Sequence, residues 1–326
     1  MTDIKRLAEK IVAQDRRALS RAITLVESSR EDHRTQADDL VQLLHQKDSQ
    51  ALRIGLSGTP GVGKSTFIEG FGSFLTAQDL RVAVLAVDPS SARSGGSILG
   101  DKTRMDRLAR DPKAFIRPSP SQSHLGGVAR RTREAVAICE AAGFDIVLIE
   151  TVGVGQSETI VSEMADLFVL LLAPAGGDEL QGVKRGIMEM ADIILVNKAD
   201  GDLKPAAVRT CADYAGALRL LRKREQDPEG FPAAMLVSAV AGTGLEQAWQ
   251  SMSNLAKWRR NAGHFQAKRA SQARFWFEED VKQGLLEVMT QSEVQKDIQR
   301  LGKRVFQGDI LPAAAAAEVL AKLTKL

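Results

Sequence analysis

One glycine-rich stretch carries the clearest chemistry in this chain. Residues 58–65 read Gly-Thr-Pro-Gly-Val-Gly-Lys-Ser and fit the phosphate-loop pattern G-x-x-x-x-G-K-[ST] without exception. The apolar run 52–57 predicts a buried strand before the loop, and residues 65–78 predict a helix after it. In that order, backbone N–H groups of the loop and the helix N-terminus point at a phosphate. The stretch therefore predicts a nucleoside triphosphate site, with Lys64 on the β- and γ-phosphates and Ser65 on Mg²⁺.

We expect the phosphates to lie against the whole loop and the first turn of the helix. The residues of this prediction are Gly58, Thr59, Pro60, Gly61, Val62, Gly63, Lys64, Ser65 and Thr66.

A second motif predicts which base is bound. The short apolar strand 192–196 ends in Asn197, Lys198, Ala199 and Asp200, an N-K-x-D pattern. A carboxylate at position 200 accepts from both N1–H and the exocyclic amine of guanine, whereas adenine offers no such pair of donors. Charge-assisted hydrogen bonds contribute about 1.5–3 kcal/mol each, so the acid discriminates strongly. We expect Lys198 to lie along the ring and Asn197 to tie this loop to the phosphate loop. GTP and GDP are the predicted ligands.

Another strand, 233–237, leads to a further base contact. Ser238 and Ala239 follow its end, where their backbone N–H groups can reach guanine O6.

Acidic residues at two other strand ends suggest how the γ-phosphate and the metal are held. Glu150 ends the apolar strand 144–150, and Gly153 follows three residues later, an interval that suits a metal carboxylate and a γ-phosphate contact. Asp88 ends the strand 81–87 and fits either a second metal carboxylate or a turn former. Asp101, in the glycine-rich stretch 94–104, fits a metal ligand or a helix N-cap equally well.

The usual water-orienting glutamine is missing after the glycine. Position 154 is Val, and Gln156 comes two residues later. This pattern predicts GTP hydrolysis that is slow in the absence of a partner.

Longer strings carry a family resemblance. Val87-Asp-Pro-Ser-Ser, Ser94-Gly-Gly-Ser-Ile-Leu-Gly-Asp-Lys-Thr-Arg-Met, Leu125-Gly-Gly-Val-Ala-Arg-Arg-Thr-Arg-Glu and Glu150-Thr-Val-Gly-Val-Gly-Gln-Ser-Glu resemble the MeaB/ArgK family of P-loop GTPases. The resemblance spans residues 13–243. It implies a chaperone that gates adenosylcobalamin loading of methylmalonyl-CoA mutase and protects that enzyme.

The same resemblance implies roles for individual residues. It places Lys64, Ser65, Asp88, Asp101 and Glu150 at the phosphates and the metal, and Asn197, Lys198 and Asp200 at the base. It further implies a third switch loop, residues 175–184. There Asp178 and Lys184 are either catalytic and partner-responsive groups or solvated loop charges.

Composition narrows the class of protein. The 326 residues carry 44 basic and 41 acidic side chains, a net charge of +3, which does not favour nucleic acid binding. Two cysteines fit a reducing compartment rather than a disulfide framework. The first residues lack the apolar region of a leader peptide, and no apolar run reaches membrane-spanning length. We expect a cytoplasmic protein that contacts neither membrane nor nucleic acid.

The elements that position these motifs fall into three parts. We predict an N-terminal helical extension (1–50), a GTP-binding domain (51–250) and a C-terminal helical dimerisation region (251–326). Alternating strands and helices predict an α/β P-loop fold with a mostly parallel sheet covered by helices on both faces. An apolar stripe, Phe277, Val281, Leu285 and Val288, favours a homodimer. The basic residues Arg259, Arg260, Lys268, Arg269 and Arg274 are interpreted as a solvated face.

Two other functions fit a phosphate loop. A nickel- or cobalt-loading GTPase would need a cluster of Cys or His ligands, and the four histidines form no close pair. A small-molecule kinase would need neither the guanine-reading acid nor Gly153.

Overall fold

Seven parallel strands form the centre of the protein, in a computed structural model that describes residues 2–45, 50–87, 105–118, 125–151, 157–174, 185–290 and 292–323. The strands are β1 Leu52–Ser57, β2 Val82–Val87, β3 Ala114–Arg117, β4 Ile146–Thr151, β5 Leu167–Leu172, β6 Ile193–Val196 and β7 Ala233–Leu236. Their order across the sheet is β3-β2-β4-β1-β5-β6-β7. Because all seven are parallel, their carboxyl ends meet at one edge of the sheet and their amino ends at the other.

Helices connect the strands and follow the last one. In the described residues up to position 261 they are α1 Thr2–Val12, α2 Arg16–Glu27, α3 Glu31–His45, α4 Lys64–Thr76, α5 Asp106–Arg110, α6 Leu125–Ala141, α7 Ser157–Ser162, α8 Arg185–Met190, α9 Lys204–Arg219 and α10 Leu245–Asn261. A 3-10 turn, Gly201–Leu203, precedes α9. The remaining helices are α11 His264–Met289, α12 Ser292–Phe306 and α13 Pro312–Leu323.

The strands are short, apolar and buried, as expected for a parallel sheet covered on both faces. Alternate residues of β1 face one side of the sheet, where Ile54 and Leu56 form a hydrophobic core together with Phe67 and Phe71 of α4. Met252 of α10 packs in the same core. The opposite face is covered by α6 and α7, where Val161 lies against Gly55 of β1. This arrangement confirms the predicted α/β P-loop fold class.

The N-terminal helices form a further layer over α6. Asp15 caps α2, since its carboxylate accepts from the backbone N–H groups of Arg17 and Ala18 at 2.8 and 3.0 Å. Arg34 of α3 pairs with Glu134 of α6 through two bonds of 2.7 and 3.0 Å. The predicted extension therefore packs on the nucleotide-binding part of the chain.

The chain divides into two compact units, residues 1–272 and 273–326. Residues 251–272 belong to the first unit, where Met252, Leu255 and Phe265 are part of the sheet's core. In the second unit, Phe277, Val281 and Leu285 are 68%, 48% and 64% exposed. Across the described residues, the structure contains no helix with the length and apolar character of a membrane span.

Aspartates precede three of the central strands at the amino edge of the sheet. Asp145, Asp166 and Asp192 come directly before β4, β5 and β6. Each accepts a 2.8 Å bond from the backbone N–H of an adjacent strand: Asp145 from Arg81, Asp166 from Arg53 and Asp192 from Phe168. These bonds satisfy N–H groups that the sheet ladder leaves unpaired at its edge.

Two of these aspartates anchor a buried set of ion pairs, here named the amino-edge network. Its members are Arg53, Glu140, Asp166, Asp192, Arg224, Asp227, Arg259, Lys268 and Arg269. At its centre, Arg259 donates at 2.6 Å to both Asp192 and Asp227, and all three side chains are at most 3% exposed. Arg269 holds Asp166 through two bonds of 2.8 Å.

The network corrects the interpretation of the basic cluster as a solvated face. The side chains of Arg259, Lys268 and Arg269 lie mostly out of solvent. Each donates a hydrogen bond to a carboxylate or a carbonyl at the start of a strand, which offsets the cost of burying its charge. Arg260 and Arg274 do lie in solvent, and the side chain of Arg274 is 82% exposed. Helical spacing alone could not distinguish the two cases.

Candidate functional site

The phosphate loop joins β1 to α4 and presents an uncapped helix end. Gly63 is the N-cap of α4, with φ of 87° and no side-chain cap. A Cβ at this position would lie 3.0 Å from Nδ2 of Asn197, so only glycine fits. Lys64 donates from Nζ to the carbonyl of Gly58 at 2.6 Å. Among the described residues, no side chain caps the positive end of the helix, which leaves it suited to an anion.

The other residues of the loop line the same turn with different exposures. Thr59, Pro60 and Gly61 are exposed, Val62 is buried, and Ser65 is half-buried in the first turn of α4. Gly58 is buried at the end of β1, and Thr66 is exposed. The loop therefore lies open at its tip and packed at its base.

Asn197 connects the base motif to the phosphate loop, as predicted. Its buried side-chain amide donates from Nδ2 to the carbonyl of Val62 at 3.0 Å. Its Oδ1 accepts from the backbone N–H of Ala239 at 3.1 Å. Lys198 adds a second link, since its Nζ donates to the carbonyl of Gly61 at 2.8 Å. One side chain thus holds three loops in register: the phosphate loop, the N-K-x-D turn and the loop after β7.

Asp200 is oriented by a neighbouring hydroxyl. Ser238, fully buried, donates from Oγ to Oδ1 of Asp200 at 2.5 Å. The same Oγ accepts from the backbone N–H of Ala241 at 3.0 Å. The second carboxylate oxygen remains on a half-buried side chain at the edge of the site. This geometry suits an acceptor for paired N–H donors on a base.

The backbone N–H groups expected at guanine O6 are already engaged. The N–H of Ser238 donates to the carbonyl of Thr243 at 2.9 Å, which closes the loop after β7. The N–H of Ala239 donates to Asn197, so an acceptor on a base would have to share it. The side chain of Ser238 was not singled out by its sequence position. The feature of the sequence that could have indicated this contact is a hydroxyl-bearing residue at the end of the strand that follows the base motif.

Glu150 lies on the strand next to the phosphate loop. In the pairing of β1 with β4, Glu150 is opposite Leu56, two residues before Gly58. It is buried, with 4% exposure. Next to it, Thr151 donates from Oγ1 to Oγ of Ser57 at 3.3 Å, another contact that its sequence position did not suggest. Glu150 lies near the carboxyl end of β4, and Ser65 lies in the helix that follows the adjacent strand β1. Both side chains offer the oxygen donors that Mg²⁺ prefers.

Several predicted site residues lie outside the described residues. They are Asp88, Asp101, Gly153, Asp178 and Lys184, together with Val154 and Gln156. Among the residues that the structure does describe, no group of three or more His, Cys, Asp or Glu side chains is placed to hold a metal ion.

Comparison with known proteins identifies the family. Residues 19–294 match the family model described as methylmalonyl Co-A mutase-associated GTPase MeaB. The chain belongs to the MeaB family. It is a guanine-nucleotide-binding GTPase, and the resemblance inferred from the motifs is confirmed.

Relatives of this MeaB-family protein match along nearly its whole length. A probable GTPase of Mycobacterium tuberculosis is 49% identical over 96% of this chain and 93% of its own. A mitochondrial methylmalonic aciduria type A homolog of the mouse is 47% identical over 96% of this chain and 78% of its own. A solved structure described as an LAO/AO transport system kinase superposes with a TM-score of 0.78 at 32% identity, covering 99% of this chain and 98% of that one.

Proposed function

We propose that this MeaB-family GTPase is a chaperone of adenosylcobalamin-dependent methylmalonyl-CoA mutase, which gates cofactor loading and protects the loaded enzyme. The match of residues 19–294 to a family described as mutase-associated carries this proposal. The mouse relative, named for methylmalonic aciduria, supports it over most of the chain. Tight pairing of the three nucleotide loops through Asn197 supports a nucleotide-responsive role for the site.

We assign the phosphate and metal contacts to residues at the carboxyl edge. The backbone of the phosphate loop and Lys64 bind the phosphates, and Gly153 contacts the γ-phosphate. A Mg²⁺ ion held there would supply positive charge against the charge that develops on the phosphates during transfer. The residues proposed to hold it are Ser65, Asp88, Asp101 and Glu150.

We assign the base contacts to Asn197, Lys198, Asp200, Ser238 and Ala239. Asp200 reads the paired donors of guanine, and the Ser238 hydroxyl keeps its carboxylate in position. Asp178 and Lys184 are proposed to complete the catalytic site when the partner binds.

We propose that two copies of the chain associate through the second unit. Phe277, Val281 and Leu285 lie on one side of α11 and are largely exposed. Changing Phe277 and Leu285 together to Ser should convert the dimer to a monomer in light scattering. The control is Leu220→Ser in the first unit, where Leu220 is 88% exposed. A double variant that remains dimeric would place the interface elsewhere.

A cytoplasmic location completes the proposal. Both cysteines are free, with Cys139 buried in α6 and Cys211 half-buried in α9. Burial raises the pKa of each thiol, which disfavours the reactive thiolate form.

Single-turnover GTP hydrolysis with and without purified methylmalonyl-CoA mutase tests the function. Without the mutase we expect a rate within a few orders of about 10⁻⁴ s⁻¹, since neither a glutamine at 154 nor an arginine finger is evident in the sequence. With the mutase we expect a marked rise that Lys184→Ala weakens. Lys204→Ala changes an exposed lysine outside the site and serves as the control. Fast hydrolysis by the chain alone, or indifference to the mutase, would contradict the proposal.

Small-molecule kinase activity is the second candidate, because the solved neighbour is described as a kinase. The two activities differ in product: a GTPase releases one inorganic phosphate for each GDP, whereas a kinase transfers that phosphate to an acceptor. Measuring both products with and without candidate small molecules separates them.

A further inference from the structure

Two glycines, Gly70 and Gly72, lie inside α4, the helix that follows the phosphate loop. Glycine in a helix interior lowers stability relative to alanine, because it has more conformational freedom to lose on folding. Gly216, inside α9, has open space where a Cβ would lie. At Gly70 and Gly72, by contrast, a Cβ would meet other atoms of the protein at less than 3.0 Å. Close packing therefore explains the two glycines of α4.

The two positions differ in what they pack against. A Cβ at Gly70 would lie 2.9 Å from the backbone carbonyl oxygen of Ala239, in the loop after β7. A Cβ at Gly72 would lie 2.5 Å from Cδ2 of the Leu108 side chain. A side chain can move by changing its rotamer, whereas a carbonyl moves only with its backbone. The missing side chain at position 70 thus lets α4 approach the backbone of the loop after β7.

Of these two elements, the loop is the one that can give way. On α4, Phe67 and Phe71 are fully buried in the core of the sheet, which fixes the helix. In the loop, Val240 directly follows Ala239 and is 82% exposed. A methyl group added at Gly70 should therefore displace the loop rather than the helix.

The displaced residue is bonded to the base motif. The backbone N–H of Ala239 donates to Oδ1 of Asn197 at 3.1 Å. The preceding residue, Ser238, donates from Oγ to Oδ1 of Asp200 at 2.5 Å. Movement of the Ala239 backbone therefore changes both contacts, and with them the orientation of the Asp200 carboxylate.

We propose that Gly70 is a positioning residue for guanine recognition, because its missing side chain sets the distance between α4 and the loop after β7. This inference rests on the proposed base contacts of Asp200 and Ala239. Gly70 is six residues after Lys64, about 9 Å along the helix axis, so the contact is remote from the phosphates. Its loss should affect discrimination of the base more than contacts to the phosphates.

The test compares the binding of GDP and of its inosine counterpart, IDP, to the full-length protein. Inosine lacks the exocyclic amine of guanine, so the ratio of the two affinities reports how well Asp200 reads the paired donors. We expect Gly70→Ala to lower GDP affinity at least about tenfold, the loss expected for one charge-assisted bond. The preference for GDP over IDP should fall at least about threefold, because the amine contact is weakened.

Two glycine variants serve as matched controls, with urea unfolding measured for all three. Gly72→Ala places a methyl group against Leu108 and should lower stability while the preference for GDP over IDP stays that of the wild type. Gly216→Ala meets open space and gains helix propensity. It should be at least as stable as the wild type and bind both nucleotides equally well.

The preference for GDP over IDP decides the outcome. A wild-type preference in Gly70→Ala, or an equal fall in Gly70→Ala and Gly72→Ala, overturns the positioning role. If Asp200→Asn keeps the wild-type preference while Gly70→Ala lowers it, the assignment of Asp200 fails and the role of Gly70 stands. Should Gly70→Ala not fold in buffer, the measurement is made in trimethylamine N-oxide, which favours compact states. A Gly70→Ala chain that stays unfolded there, while Gly72→Ala folds, overturns the inference in favour of a purely structural contact.

Discussion

The two edges of the parallel sheet hold their polar groups in different ways. At the carboxyl edge, Lys64 and Asp200 lie beside open loops, held by a few bonds that leave acceptors and helix N–H groups for a ligand. At the amino edge, the side chains of Asp166, Asp192 and Arg259 are buried and form ion pairs within the protein. One edge therefore uses charge for binding, and the other uses it to hold helices to strands. Variants at the two edges should therefore affect different measurements.

The largest effect is expected at the carboxyl edge, from Asp200→Asn. The change replaces an acceptor of two guanine donors and should cost about 3–6 kcal/mol of guanine binding, at 1.5–3 kcal/mol for each charge-assisted bond. XTP should then be preferred over GTP, because xanthine presents an acceptor where guanine presents its amine. Competition binding with GTP and XTP measures this, with urea unfolding as the control for stability. A variant that still prefers GTP would show that Asp200 does not read the base.

The next effect belongs to the amino edge. Arg259→Met leaves Asp192 and Asp227 with only the partly exposed Arg224 as a shared partner, and breaking a buried pair costs up to about 3–5 kcal/mol of folding free energy. Urea unfolding should show this loss, while the folded protein keeps its GDP affinity. The matched control is Arg274→Met, which removes an exposed pair with Glu278 and should change stability by less than about 1 kcal/mol. A large loss of GDP affinity in Arg259→Met would show that the amino edge also contributes to nucleotide binding.

Asn197→Ala should lower both GDP affinity and the free energy of unfolding, each by an intermediate amount. Its buried amide bonds to Val62 and Ala239, and unpaired buried groups cost about 1–3 kcal/mol. We expect weaker GDP binding together with lower stability, because this residue is part of the fold and of the site. Lys198→Ala removes an exposed bond to Gly61 and should weaken GDP binding with little effect on stability. Equal effects of the two variants on unfolding would contradict this reading.

The smallest effect concerns pH at the amino edge. Burial by itself raises the pKa of Asp192, but Lys268, Arg259 and Arg224 more than offset it, so the net pKa lies below its ordinary value of 3.8. A carboxyl whose pKa is lower in the folded state stabilises the protein above its unfolded pKa, and this stabilisation is lost as pH falls through the folded value. Unfolding free energies of the wild type and Asp192→Asn should therefore converge below about pH 4. A gap that stays constant with pH would show that the charge of Asp192 is not what stabilises the network.

Much of the carboxyl edge could be predicted because its motifs are contiguous. The phosphate loop and the N-K-x-D turn each specify a local backbone, and the strands before them were predicted to within one or two residues. The contacts between loops were harder to predict. Asn197 was expected to reach the phosphate loop, but the hydroxyl of Ser238 on Asp200 depends on how β6 and β7 pair.

The amino-edge network could not be predicted in the same way. Arg259 looked like part of a solvated basic face, since helical spacing does not show what a helix packs against. A weak signal was present: Asp145, Asp166 and Asp192 each come directly before an apolar strand. Their partners are distant in sequence, and the meeting of strand ends is what brings them together.

The nucleotide class, the order of strands and helices along the chain and the family could all be inferred from the sequence, because each depends on short runs of residues with local conformational preferences. The burial of particular charges and the sharing of Asn197 by three loops depend on how distant parts of the chain pack. Most of these contacts join residues far apart in the sequence, up to 218 positions. They form only when the chain packs, since the cost of burying a charge is recovered by partners that the fold alone supplies.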